Sequence, residues 1–142
     1  TRLAVAKSNI FTNHVRETTY LYQYKDENGH RLDGRNAYTL TFPRGQTPPV
    51  TGFWSLTMYD RQHFFAPNEI RRNSIGTKNP SLVPSPDGSL ILYVQHARPA
   101  EDQVGNWLPC PDGEFAMTIR AYGPTEELIK GEWTPPPVKR VL

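Results

Sequence analysis

From Thr18 onward the chain alternates in a period of two: Tyr20, Tyr22 and Tyr24 fall in one phase, Leu21, Gln23 and Lys25 in the other. That period places successive side chains on opposite faces of a pleated strand. It returns in Tyr38, Leu40 and Phe42 against Thr39 and Thr41. A longer third strand is predicted from Val50 to Tyr59, with Trp54, Leu56 and Met58 set against Phe53, Ser55, Thr57 and Tyr59. Leu90 to Val94 and the series Phe115, Met117, Ile119 supply two further strands, each opened by a turn pair, Asp87-Gly88 and Asp112-Gly113. Asn28-Gly29 and Asp33-Gly34, dipeptides that tolerate positive φ, separate the first two strands, which are expected to pair antiparallel.

The ends break the alternation. Leu3, Ala6, Ile10 and Phe11 recur at helical spacing and predict a short amphipathic helix over the first fourteen residues. Trp133-Thr134-Pro135-Pro136-Pro137 predicts polyproline II or an edge strap, because proline cannot donate to a ladder. Residues 60–86, rich in proline, read as an extended connection with one short strand near Ser74. Five or six strands without intervening helices imply antiparallel pairing. The expected architecture is a single antiparallel β-sandwich, jelly-roll-like, with an N-terminal helix and a proline-rich C-terminal strap.

Composition agrees with this picture. A chain of 142 residues is one domain, able to bury roughly 70% of its unfolded surface. Fourteen prolines and ten glycines suit many turns, and 37% hydrophobic residues suffice for a core. The 16 basic and 14 acidic residues are interspersed, and Arg71-Arg72 is the one tight basic pair away from the chain ends. Nucleic-acid binding, which needs a clustered basic face, is therefore not implied. The single cysteine, Cys110, excludes an internal disulfide and a cysteine-rich zinc site. No run approaches the roughly 20 apolar residues of a membrane span. The chain begins at Thr1 without methionine, so a longer precursor is expected.

Specific blocks then invite comparison. Tyr22, Asp26, Gly29, Leu32-Asp33-Gly34 and Tyr38 lead to Phe42-Pro43, Pro48-Pro49-Val50 and Phe53-Trp54-Ser55-Leu56-Thr57-Met58-Tyr59-Asp60. Ser74-Ile75-Gly76, Asp87-Gly88-Ser89-Leu90, Asn106-Trp107-Leu108-Pro109 and Arg120-Tyr122-Pro124 come next, closing with Gly131 through Pro136. Across nearly its whole length the chain resembles the bacterial family called domain of unknown function 1214. Departures are local, at Asn68-Glu69, Arg71-Arg72-Asn73 and Cys110. The resemblance implies a domain placed C-terminal to a partner, domain of unknown function 1254, in a longer periplasmic or secreted protein. It carries over no catalytic residue.

Candidate chemistry is sparse. A nucleophilic enzyme needs an activated serine or cysteine beside an oriented base. Ser55, Asp60 and His63 are close in sequence, but Ser55 falls mid-strand without the Gly-x-Ser-x-Gly elbow that lifts a hydroxyl out of a sheet. Cys110, between Pro109 and Pro111, reads as a turn residue. His14, His30, His63 and His96 form no pair at metal-ligand spacing, so neither metal nor cofactor is predicted. Asp26, Glu27, Asp33 and Asp60 read as turn residues, Asp33 as an Asx turn.

Trp54 shares a phase with Leu56 and Met58 and is assigned to the core, and Trp133 to pinning the tail. Trp107, in a loop beside Asn106, leaves core packing and sugar stacking both open. If the apolar phase points inward, Thr39, Thr41, Ser55, Thr57, Tyr59, Thr118, Arg120 and Tyr122 share the opposite, polar face. Tyr59, Trp107, Arg120 and Tyr122 are the candidate ligand-binding residues, for a polar, anionic or glycan-like ligand or the partner domain's surface. The bland alternative is a solvated or covered sheet face. The function expected is a noncatalytic binding or structural module; the alternative is a hydrolase whose active site the N-terminal domain completes.

Overall fold

The computed structural model describes residues 17–141. The expected N-terminal helix falls on residues 1–14, outside the described residues. The described residues hold eight strands: β1 (Thr18–Gln23), β2 (Ala37–Phe42), β3 (Trp54–Asp60), β4 (Ser74–Gly76), β5 (Leu90–Gln95), β6 (Trp107–Pro109), β7 (Phe115–Tyr122) and β8 (Val138–Val141). A 3-10 helix (Glu101–Asn106) leads into β6, and one α-helical turn, α1 (Glu126–Ile129), comes after β7.

The strands form two four-stranded sheets, ordered β1-β7-β3-β4 and β6-β5-β2-β8. The first is antiparallel throughout, whereas in the second β5 and β6 run parallel. This one pair departs from the antiparallel pairing expected of every strand. Each sheet buries one face in a shared core. Leu56, Met58, Met117 and Ile119 come from the first sheet, and Tyr38, Leu40, Phe42, Leu92 and Val94 from the second. Rings cross the interface: Tyr38 meets Phe115 edge-on with centroids 5.8 Å apart, and Phe42 meets Trp54 at 5.3 Å. The phase assigned to the core is thus the phase that is buried.

The pairing expected between the first two strands is not the one formed. β1 pairs with β7, while β2 lies in the other sheet between β5 and β8. The Asn28-Gly29 turn closes only a local bridge between Lys25 and Arg31. Beyond it, Leu32 is fully buried in the core and Asp33 bridges Glu114, so the chain crosses from one sheet to the other before β2 begins. Asp33 does make the expected Asx turn, accepting from the Arg35 backbone N–H at 3.0 Å.

The two turn glycines serve different ends. Gly29 has φ +82°, a left-handed conformation that disfavours a side chain. Gly34 instead is held by proximity, since a Cβ there would lie 1.6 Å from the carbonyl oxygen of Pro111. Gly34→Ala must displace the 111–113 turn and is expected to cost about 3 kcal/mol, the upper end of ordinary overpacking. Urea denaturation reads it directly. Gly29→Ala, strained but facing open space, should cost about 1 kcal/mol.

Candidate functional site

Strand alternation aims Tyr20 of β1, Arg120 of β7 and Ser55 of β3 at one outer face, and the registers Tyr20↔Arg120 and Ser55↔Arg120 put them in a row. Gly76 of β4 continues the row opposite Ser55 and contributes no side chain. Thr39 and Thr41 belong to the other sheet, so the single polar face expected is in fact two outer faces of two sheets. Thr57 and Thr118, in the next row, are only 3% and 4% exposed, so this part of the face is covered and not an open hydroxyl array.

Arg120 sits among tyrosines. Its guanidinium carbon lies 5.6 Å from the centre of the Tyr20 ring and 6.0 Å from that of Tyr59. Nη2 donates to the Tyr59 hydroxyl, and the side chain also bonds Tyr122. Burial pulls the guanidinium pKa down, but the attraction of Tyr59, Tyr122 and Tyr20 outweighs it and holds Arg120 above the ordinary arginine value. Among the described residues no carboxylate pairs with it.

The aromatic rings extend the cluster on both sides. Tyr122 stacks on Phe53 with centroids 4.2 Å apart, and the Lys78 ammonium lies 3.8 Å over the Phe53 ring. Tyr59 stacks on Phe65 at 5.4 Å. Between these arms opens a cavity of about 260 Å³, into which Arg120 and Lys78 bring positive charge, Ser55, Asn73 and Ser74 neutral polar atoms, and Phe65 apolar surface. Among the described residues no aspartate or glutamate lines it. A concave site with two cations, neutral hydrogen-bonding groups and aromatic walls can receive an anion.

The structure thus joins three of the four residues singled out in the sequence and separates the fourth. Trp107 opens β6 in the other sheet, is 1% exposed, and donates its indole N–H to the Gln95 carbonyl at 2.9 Å. Its ring presents no face for a ligand. Neighbouring Asn106 is equally structural, accepting from the Val83 N–H and donating to the Val83 and Ile91 carbonyls. Sequence reasoning missed Tyr20, Phe53, Phe65 and Lys78. Tyr20 was readable from its in-phase alternation, whereas Phe65 and Lys78 lie in irregular backbone with no period to place them.

Other candidates have plain structural roles. Asp60 Oδ1 accepts from the Gln62 and Phe64 backbone N–H groups and so shapes the turn holding His63, whose φ is +68°. His14 lies outside the described residues, and among those described no three histidine, cysteine, aspartate or glutamate side chains come together. Cys110 is buried, and burial pushes its thiol up to about 12. At pH 8 a thiol so shifted is about one part in ten thousand thiolate, against roughly a quarter for an unfolded thiol. A disulfide reagent should accordingly label native Cys110 at least about a hundredfold more slowly than the urea-unfolded chain. The native rate should climb as pH rises toward 12.

A two-sheet β domain with an aromatic-walled, cation-lined hollow on one outer face is the class of molecule these features define. The family model described as "Protein of unknown function (DUF1214)" matches residues 17–126, and the chain belongs to that family. No curated protein matches it. It is similar to the crystal structure of a Vibrio parahaemolyticus protein, at 27% identity and a TM-score of 0.83, over 96% of this chain and 34% of that one. A Burkholderia cenocepacia structure shares the fold, with 20% identity and a TM-score of 0.52 over 88% of this chain and 29% of the other. The chain therefore spans about a third of these solved proteins. No helix among the described residues is long and apolar enough to cross a membrane.

Proposed function

We propose that this chain is a noncatalytic binding module, a β-sandwich carried by a larger exported bacterial protein, whose ligand site is the hollow around Arg120 on the outer face of the β1-β7-β3-β4 sheet. One observation carries the reading: Arg120 and Lys78 line a single cavity whose walls, among the described residues, hold no acidic side chain. Two uncompensated cations repel each other and favour an anion between them. The tyrosines hold the Arg120 fork in place before a ligand arrives, which lowers the ordering cost of binding. A module within a longer protein accords with the third of each related structure that the chain covers. The periplasmic or secreted setting, and a domain of unknown function 1254 as partner, rest on the family resemblance alone.

Thermal-shift titration with acetate, phosphate, sulfate and neutral sugars tests the site. Stabilisation by at least one anion is expected, and Arg120→Ala should weaken that response about tenfold or more. Tyr122→Ala should weaken it less, because it removes a support and not the charge. If no anion's effect depends on Arg120, the hollow is not a binding site.

A further inference from the structure

If the hollow is the ligand site of a binding module, its walls narrow the class of ligand it takes. The hollow, at about 260 Å³, has room for one compact unit the size of a single sugar ring. Arg120 and Lys78 enter it and, among the described residues, no carboxylate does, which favours a negatively charged ligand. The two cations differ in kind: a guanidinium presents a planar fork suited to two oxygens of one carboxylate, while an ammonium is a point charge that accepts any approach.

Charge alone does not describe the lining. Ser55, Asn73 and Ser74 offer neutral donors and acceptors, the complement of hydroxyl groups rather than of more charge. Phe65 is 55% exposed although it stacks on Tyr59, and so offers apolar ring surface at the rim. A pyranose ring has such a split character, with hydroxyls at its edge and C–H groups on its faces, and the latter pack on aromatic rings. An inorganic oxyanion could accept from the serine hydroxyls and the asparagine amide but would leave the phenylalanine unused. A neutral sugar would leave both cations without a partner.

We infer that the hollow binds an acidic monosaccharide unit of the hexuronate type, with its carboxylate on Arg120 and Lys78, its hydroxyls toward Ser55, Asn73 and Ser74, and its C–H face on Phe65. This assignment rests on the binding-module reading. A free hexuronate and one terminal on a longer glycan present the same chemistry to the site.

Isothermal titration and amide NMR with glucuronate, galacturonate, glucose, acetate and phosphate, each at matched ionic strength, decide the matter. At least one hexuronate should bind about tenfold or more tightly than glucose, acetate and phosphate, with shift changes centred on residues 53–57, 73–79 and 120–122. Lys78 is exposed, so Lys78→Ala should fold normally and weaken hexuronate binding by about tenfold. Phe65→Ala should weaken hexuronate but leave acetate unchanged. Equal affinity for acetate or phosphate would overturn the sugar assignment while leaving an anion site in place. Equal affinity for glucose would overturn the acidic assignment. Absence of any Arg120-dependent binding would remove both this inference and the module reading beneath it.

Discussion

Trp54→Ala is expected to cost about 3 to 5 kcal/mol of folding stability, the range for removing a large aromatic from a packed core. The indole is 6% exposed, and its ring meets Phe42 across the two sheets at 5.3 Å. Truncation therefore opens a void where the two sheets meet. The backbone there is also committed: the Trp54 N–H donates to the Thr77 hydroxyl and its carbonyl accepts from the Thr77 N–H. Chemical denaturation followed by tyrosine and tryptophan fluorescence measures the loss. A cost below about 1 kcal/mol, the level of an ordinary surface change, would mean that the sheets do not pack through this ring.

Arg72→Met should cost about 3 kcal/mol, for a reason unrelated to ion pairing. Arg72 Nη1 donates to the carbonyls of Val104 at 2.9 Å and Trp107 at 2.8 Å, and Nη2 reaches the Ser81 hydroxyl at 3.4 Å. Asn68 clasps its backbone from both sides. One cation thus ties the long 60–86 connection to the start of β6. Desolvation holds its pKa below the ordinary arginine value, so its charge is carried by carbonyl dipoles, and among the described residues no acid shares it. Bonds from a charged donor are worth about 1.5 to 3 kcal/mol each, and methionine leaves both carbonyls bare. Arg72→Lys should recover less than half of the loss, because an ammonium cannot hold the fork geometry. Urea denaturation of the two variants beside the parent chain measures both effects.

What the sequence disclosed and what it withheld divide along a physical line. Period-two alternation identified β1, β2, β3 and β7, because a half-buried strand must alternate whatever its partner, and β5 showed as an apolar run opened by the Asp87-Gly88 turn. It also placed Tyr59, Arg120 and Tyr122 on one face. β6 escaped, being three residues long and ending in Pro109, and β8 escaped because Lys139 and Arg140 come soon after three prolines with too little pattern to read. Strand order is a matter of pairs distant in sequence, so the β1–β7 pairing had no local signal to decide it. Trp107 shows the same limit for the site. A tryptophan beside a loop asparagine looks available until the Gln95 carbonyl is brought to its indole by a parallel neighbour. Lys78 needed the fold to set it over Phe53.

The register Thr18↔Tyr122 joins the beginning of the β domain to its last long strand, and Ala37↔Val141 does the same for the second sheet. Neither sheet can be completed by local zippering, since the closing partners are about a hundred residues apart and the loop entropy falls due before the pairing returns anything. At synthesis rates of roughly 5–20 residues per second, β1 waits about 5 to 20 s for β7. During that interval its Tyr-Leu-Tyr run is an unclaimed strand, open to a chaperone or to a second nascent chain. The β3–β4, β2–β5 and β5–β6 pairs can form earlier, but each sheet gains its last neighbour only when nearly the whole domain has been made.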